Sequence, residues 1–250
     1  MDFDKLLNLG TELGRRLMAS GAEIYRVEES VNRLLSAYGL EPQVFAIPNC
    51  LIVSVTTPDG HPITRMCRIP AHGTDIELLE RCNDLCRRLC REVPPLDEAQ
   101  DLVDRLGAPV FAPGFILGGY TAAAGFFALF FGGGAADALC AALCGLAVGL
   151  CLLFGRRITG SNNFFRTLVC SALLACLAAV LVRVGLGRDQ GIITIGALML
   201  LVPGMALTNA MREIMAGDIF SGLNRTAEVI LTAAAIALGT ALPLLVGQLV

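Results

Sequence analysis

Five long stretches without a charged side chain constrain this chain more than any other feature. A bilayer core about 30 Å thick needs roughly 20 apolar residues in a helix that rises about 1.5 Å per residue. The third stretch is short, but Arg166 and Arg183 flank it and can carry their charges to the interface on long stems. We therefore predict five transmembrane helices, at about 112–131, 136–154, 165–185, 191–210 and 227–248.

Charged residues concentrate in the other part of the chain. Residues 1–110 hold 29 of the 41 charged side chains, of which 12 are Lys or Arg and 17 are Asp or Glu. This contrast predicts an α-helical membrane protein with a cytoplasmic α/β domain at 1–110 and a transmembrane domain at 111–250. The formal net charge of −3 provides no basic patch for a phosphate backbone, so a nucleic acid is an unsuitable partner.

The distribution of Lys and Arg predicts the orientation. With the N-terminal domain inside, the inner segments hold 17 of the 19 basic residues, including Arg156 and Arg157, and the outer segments hold Arg183 and Arg188. The N-terminal domain is then cytoplasmic and the C-terminus lies outside. Residues 1–10 carry charges and lack a long apolar core, so we do not expect a signal peptide.

Local patterns predict the element order ααβββαα for the first domain. Two helical patterns are separated by Ser20 to Glu23, which has the spacing of a capping box, and Thr74 to Glu77 has the same spacing before a later helix. Three β-rich runs lie between them, at 43–47, 50–57 and 62–69. Thr57-Pro58-Asp59-Gly60 predicts a hairpin turn between the last two runs.

No catalytic motif accompanies these elements, and we expect neither an enzyme nor a metal or cofactor site. His61 and His72 are the two histidines, and neither has a recognisable nucleophile motif nearby. Glu23, Glu28 and Glu29 lie at helical spacing among arginines, which favours a solvated face over acid–base chemistry.

Repeated cysteines and small residues favour packing faces. Cys82, Cys86 and Cys90 recur every four residues, as expected for a buried stripe of thiols, and Cys140, Cys144 and Cys151 are interpreted in the same way. Small residues form three further stripes that would let membrane helices approach closely. These are Gly114, Gly118 and Ala122; Ala141, Gly145 and Gly149; and Ala233, Ala237 and Ala241.

The segment from Leu201 to Glu228 is the most informative for function. Pro203 lacks an amide hydrogen and Gly204 follows it, so the fourth membrane helix should kink or break there. A broken helix can offer unpaired amides to a carboxylate, and an arginine can grip one bidentately. Arg212 and Arg225 could instead pair with nearby acidic residues such as Glu213. We predict a substrate-binding segment formed by Pro203, Gly204, Thr208, Asn209, Arg212, Asp218, Ser221, Arg225 and Glu228.

Two motifs give the chain a specific resemblance. Residues 21–29, GAEIYRVEE, and residues 201–210, LVPGMALTNA, with the downstream Gly217-Asp218 and Ser221-Gly222, resemble the threonine/serine exporter (ThrE) family. The resemblance extends from about residue 5 to 248 and is closest to the split, YjjP-type larger subunit. The family's signature positions correspond to Pro203, Gly204, Asn209, Asp218 and Arg225, and its early motif to Gly21, Ala22 and Glu23.

The resemblance implies a subunit of a secondary exporter in the bacterial plasma (inner) membrane. Its substrates would be small carboxylate-bearing metabolites, namely threonine and serine or a dicarboxylate such as succinate, and an ion or proton gradient would drive export. A small YjjB-type membrane subunit is the implied partner, with membrane lipid and a second copy of the chain as further partners. The early motif would cap a helix and dock onto the membrane half.

The residues leave two other interpretations open. The chain could be a non-transporting membrane sensor or scaffold whose cytoplasmic domain binds a metabolite. A membrane-bound hydrolase using the region of Glu23 is the third, and no motif favours it.

Overall fold

The computed structural model describes residues 2–70, 73–107, 110–154 and 162–249. His72, Arg156 and Arg157 lie outside the described residues. The chain clusters into two compact units, one formed by residues 1–108 with 205–226 and the other by 109–204 with 227–250. Residues 205–226 group with the N-terminal part, so these units are not the same division as the predicted domains 1–110 and 111–250. The two domains stay a prediction.

The first unit begins with two amphipathic helices, α1 (Phe3–Ala19) and α2 (Ile24–Ala37). The side chain of Asp2 caps α1 by accepting a hydrogen bond from the Lys5 amide at 3.1 Å. The apolar stripe of each helix faces a common core, as the 3.6-residue spacing predicts.

The turn between α1 and α2 corrects the predicted capping box. Ser20 closes α1, and its hydroxyl donates to the carbonyl of Leu17 at 2.9 Å instead of reaching Glu23. Glu23 is the N-cap of α2 but makes no side-chain cap bond. Gly21 has φ +95°, and a Cβ there would lie 2.6 Å from the carbonyl oxygen of Gly73, so this turn requires glycine.

A three-stranded antiparallel sheet follows, with strand order β1-β2-β3. The strands are β1 (Pro42–Ile47), β2 (Cys50–Thr56) and β3 (Pro62–Arg68). The amide of Thr57 donates to the carbonyl of His61 at 2.9 Å, which closes the predicted hairpin turn. The inward side chains of β2 alternate along the strand and complete the core formed by α1 and α2.

Helices α3 (Ile76–Glu92) and α4 (Leu96–Asp104) complete the N-terminal part, so the observed element order is ααβββαα. Asp75, and not Thr74, caps α3 by accepting from the Leu78 amide at 3.0 Å, which corrects the second predicted capping box. Cys82 and Cys86 are buried in the same core, as the packing interpretation of the cysteine stripe predicts.

Residues 205–226 add a helical hairpin to this unit. It consists of α9 (Gly204–Met215) and the first two turns of α10 (Ile219–Leu249). Gly217, at φ +95°, lies in the turn, and the side chain of Asp218 accepts from the Ser221 amide at 3.2 Å. An acidic acceptor at this position satisfies one of the otherwise unpaired amides at the start of α10.

The second unit contains α5 (Pro113–Phe130), α6 (Ala135–Phe154), α7 (Asn163–Arg183) and α8 (Gln190–Leu198). Within the described part of the chain, α5, α6 and α7 are the three helices long and apolar enough to cross a membrane. The predicted fourth membrane helix is broken, because α8 ends at Leu198 and α9 begins at Gly204. The remaining two of the five predicted spans stay a prediction.

The small residues that pack in this unit are only partly those expected. Ala141, Gly145 and Gly149 on α6 are buried against α5, as predicted. The other two stripes do not pack within the described part of the chain, where the residues of both are exposed: Gly114, Gly118 and Ala122 on α5, and Ala233, Ala237 and Ala241 on α10. Burial falls instead on Ala124, Gly125 and Ala128 of α5 and on Ala235 and Gly239 of α10.

One carboxylate is buried in the second unit and holds two loops together. Asp137, at the start of α6, accepts from the backbone amides of Arg188 at 2.7 Å and Asp189 at 3.1 Å. Its other oxygen accepts from the Gly134 amide at 3.3 Å. Hydrogen bonds from three backbone amides therefore offset the free-energy cost of burying this carboxylate.

Candidate functional site

The site is a polar contact between the α1–α2 turn and the hairpin of α9 and α10, all within the first unit. Three of the predicted site residues meet this turn. The Asn209 amide donates to the carbonyl of Gly21 at 3.3 Å, and the Arg225 guanidinium donates to the carbonyl of Ala22 at 3.3 Å. The Arg212 guanidinium lies 3.3 Å from the Glu23 carboxylate. The GAE motif and the segment after Pro203 therefore form one structure.

Glu23 is buried, which corrects its predicted place on a solvated face. Its side chain is 6% exposed, and its carboxylate has two cationic neighbours, Arg212 on one oxygen and Arg26 at 3.7 Å on the other. Glu29 is exposed as predicted, whereas Glu28 is half-buried and accepts from the Ala46 amide at 2.7 Å.

Glu213 forms the centre of the contact. Its side chain is fully buried, and its Oε1 accepts from the Ile24 amide at 3.3 Å and from the Arg225 guanidinium at 3.2 Å. Its Oε2 has no hydrogen-bond partner among the residues that the structure describes. Burying a carboxylate with one oxygen unpaired costs free energy, which makes Glu213 a candidate functional group.

The N-terminus of α2 completes this arrangement. Ile24 is the first residue of α2, so its amide carries part of the positive end of the helix dipole. Glu213 accepts from this amide across a sequence separation of 189 residues. The Glu213 carboxylate therefore replaces the local cap that Glu23 does not provide.

Burial raises the pKa of the Glu213 carboxyl above its usual value. The Arg225 charge and the Ile24 amide oppose this rise, whereas the negative charges of Asp218 and Glu23 add to it. Burial likewise raises the pKa of Glu28, where the Ala46 amide opposes the rise and Asp218 adds to it.

The described contacts of the other predicted site residues are local. The Thr208 hydroxyl donates to the Met205 carbonyl on its own helix at 3.0 Å, and Asp218 and Ser221 form the start of α10. Pro203 and Gly204 lie at the break before α9. Glu228 is exposed farther along α10, where its carbonyl accepts from Thr232 at 2.9 Å.

From the sequence, Glu213 was only a candidate to pair with Arg212 or Arg225. A helical-period signal was present, since Asn209, Arg212 and Glu213 lie three and four residues apart and share one face of α9.

The arrangement has the chemistry of a carboxylate receptor. An arginine guanidinium and a helix N-terminal amide both donate to one buried carboxylate. Together with three apolar helices of membrane-spanning length, this defines a multi-pass helical membrane protein that carries a charged cluster.

Comparison with known proteins gives the family. Residues 8–246 match the ThrE family, described as "Putative threonine/serine exporter", and the chain belongs to this family. A curated relative from Mycobacterium tuberculosis, named "Probable threonine/serine exporter", is 24% identical over 249 residues. The match covers 94% of this chain but 45% of the relative, so the chain spans about half the length of that protein. No solved structure matches the chain.

Proposed function

We propose that this chain is a subunit of a secondary exporter that moves small carboxylate-bearing metabolites out across the bacterial plasma membrane. Threonine, serine or a dicarboxylate such as succinate are the proposed substrates. Membership of the ThrE family and the name of the mycobacterial relative support export, and the apolar helices α5, α6 and α7 support a membrane location.

The substrate site is proposed at the contact of the α1–α2 turn with α9 and α10. The observation that carries this proposal is the Arg225 guanidinium beside the Ile24 amide, two donors that already hold a carboxylate. The side-chain amide of Asn209, on α9, donates to the Gly21 carbonyl of the same turn. Recognition of a carboxylate by an arginine and the start of a helix is a common mode in transporters.

The exporter is proposed to need a second membrane component of the small, YjjB type. The match covers 45% of the mycobacterial relative, so more than half of that protein lies outside it. This supports a function that requires a second polypeptide in addition to this chain. The charged N-terminal part is proposed to face the cytoplasm, with the C-terminus outside, on the distribution of Lys and Arg.

Reconstituted vesicles test the proposal. Vesicles containing this chain and a YjjB-type subunit should release loaded threonine, serine or succinate when an ion or proton gradient is applied. Vesicles containing the chain alone should release little, and empty vesicles provide the control. Efflux by the chain alone would contradict the two-component arrangement, and no efflux of any carboxylate by the pair would contradict export.

A further inference from the structure

An arginine-rich groove lies between α2 and α3, within the first unit. It has a volume of about 1260 Å³, and thirteen residues line it. Two of these residues are acidic, Glu29 and Asp84, and five are arginines, namely Arg26, Arg33, Arg87, Arg88 and Arg91. The side chains that line the groove therefore carry a formal charge of +3.

The charge of the groove is opposite to that of the sequence around it. Residues 1–110 hold 12 basic and 17 acidic side chains, which gives them a formal charge of −5. Five of the 12 basic residues nevertheless line this one groove. Charges of one sign that line a cleft raise the local concentration of ions of the opposite sign. The groove therefore attracts anions, which the formal net charge of the chain alone does not indicate.

The arginines of the groove are available to a ligand. Three of them pair with an acidic residue three or four positions away on the same helix, as Arg33 with Glu29, Arg87 with Asp84 and Arg88 with Glu92. Both side chains of each pair are at least half exposed, so water screens these pairs and a stronger anion can replace the carboxylate. Arg91 is exposed and has no ion-pair partner among the residues that the structure describes.

We propose that this groove binds a small soluble ligand that carries several phosphate groups, such as a diphosphate or triphosphate. The planar guanidinium fork matches the oxygens of a phosphate, and a terminal phosphate carries more negative charge than a carboxylate. Threonine and serine have no net charge, so they do not use the excess positive charge of the groove. The groove is therefore a site separate from that of the proposed export substrates.

The lining also restricts which phosphate-bearing ligands fit. None of the thirteen described residues that line the groove is aromatic, so it offers no ring on which a nucleic-acid base could stack. A long polyanion would extend beyond the groove, where the negative charge of the rest of the domain repels it. A short chain of phosphates places all its charge among the arginines, so it is favoured over a nucleic acid.

Titration calorimetry on the purified full chain in a neutral detergent tests the proposal, with inorganic tripolyphosphate as the probe. One tripolyphosphate should bind to each chain. The affinity should fall steeply as the salt concentration rises, because salt screens the attraction between the phosphates and the exposed arginines. Absence of binding at low salt would overturn the proposal.

Four variants at exposed positions locate the binding site. Arg33→Gln and Arg91→Gln should each lower the affinity about tenfold, because each removes a charged donor to phosphate. Arg65→Gln is the matched control, since Arg65 is an exposed arginine of β3 outside the groove, and it should keep the wild-type affinity. Glu29→Gln removes a negative charge from the groove and should raise the affinity. Equal affinities of Arg91→Gln and Arg65→Gln would overturn the proposal.

Two further ligands distinguish the possible sources of the phosphate. Glycerophosphoglycerol, the headgroup of an anionic lipid, has a single phosphate and should bind about tenfold more weakly than tripolyphosphate. A single-stranded oligonucleotide should also bind more weakly, because most of its charge lies outside the groove. Equal or tighter binding of the headgroup would assign the groove to membrane lipid, and tighter binding of the oligonucleotide would assign it to nucleic acid. Either result would overturn the proposal.

Discussion

Two arginines of the site differ in how much water screens their charges. The Arg225 side chain is 16% exposed and pairs with a fully buried carboxylate, whereas the Arg212 side chain is 63% exposed. Removing Arg225 leaves the buried Glu213 carboxylate without a cation. Water screens the charge of Arg212, and the buried Glu23 carboxylate that it pairs with keeps Arg26 at 3.7 Å when Arg212 is removed. The structure therefore ranks the two arginines differently, although both were equal candidates in the sequence.

We expect Arg225→Ala to lower the free energy of unfolding by about 3 kcal/mol, because Glu213 stays buried without its cation. Arg212→Ala should change it by less than about 1 kcal/mol. Denaturant unfolding of the purified full chain in detergent, followed by circular dichroism, measures both. Equal effects of the two variants would contradict the assignment of Arg225 to the buried pair.

Glu28 predicts a dependence of stability on pH. Its pKa is raised above the model-compound value of 4.5, chiefly by burial, so the folded state binds its proton more tightly than the unfolded state. The stability that this contributes is fully present below about pH 4.5 and is lost as the pH rises through the folded pKa. Glu28→Gln keeps an acceptor for the Ala46 amide and removes the titration.

The melting temperature of Glu28→Gln should accordingly depend less on pH than that of the wild type between about pH 4.5 and pH 7.5. Glu29→Gln, at an exposed position of the same helix, should retain the wild-type profile. Differential scanning fluorimetry across this range provides the comparison. A steeper profile in Glu28→Gln would contradict the direction of the pKa shift.

At the scale of elements, the helices of the second unit contact each other through faces whose small residues allow close packing. A Cβ on Gly239 of α10 would lie 2.5 Å from the Leu168 carbonyl of α7, and the Ser171 hydroxyl donates to the Ala235 carbonyl at 3.3 Å. These contacts show that α7 and α10 approach through Ala235 and Gly239. The exposed side of the same helix carries Ala237.

We expect Gly239→Leu to separate α7 from α10 and to lower the melting temperature of the detergent-solubilised chain, because the added side chain meets backbone that cannot move aside. Ala237→Leu is the matched control, since it adds bulk to an exposed position of the same helix. Comparable losses in both variants would mean that α10 does not pack through Gly239.

At the scale of the whole molecule, the unequal placement of Lys and Arg predicts which side each loop faces. Single cysteines in a cysteine-free background test this with a membrane-impermeant thiol reagent. A cysteine at Gly134, an exposed position of the α5–α6 loop with room for a Cβ, should react in intact cells. A cysteine at Gly60, in the β2–β3 hairpin turn, should react only after the cells are opened. Labelling of the Gly60 variant in intact cells would contradict a cytoplasmic N-terminal part.

Elements defined by local pattern were largely predictable from the sequence. The first three predicted membrane spans begin and end within about two residues of the observed helices α5, α6 and α7. The length of a helix in an apolar run is set by the local sequence. The break at Pro203 and the hairpin turn at Gly60 were also predicted, since each follows from the backbone limits of one or two residues.

Pairings between distant segments could not be obtained in this way. The carboxylate of Glu213 caps α2 from 189 residues away, and Glu23 is buried because Arg212 and the hairpin cover it. Nor did hydropathy indicate which face of α10 packs, because every face of its run from Val229 to Val246 is apolar or small. Local patterns specify where helices and turns occur, whereas the charges that form the site are brought together by long-range packing.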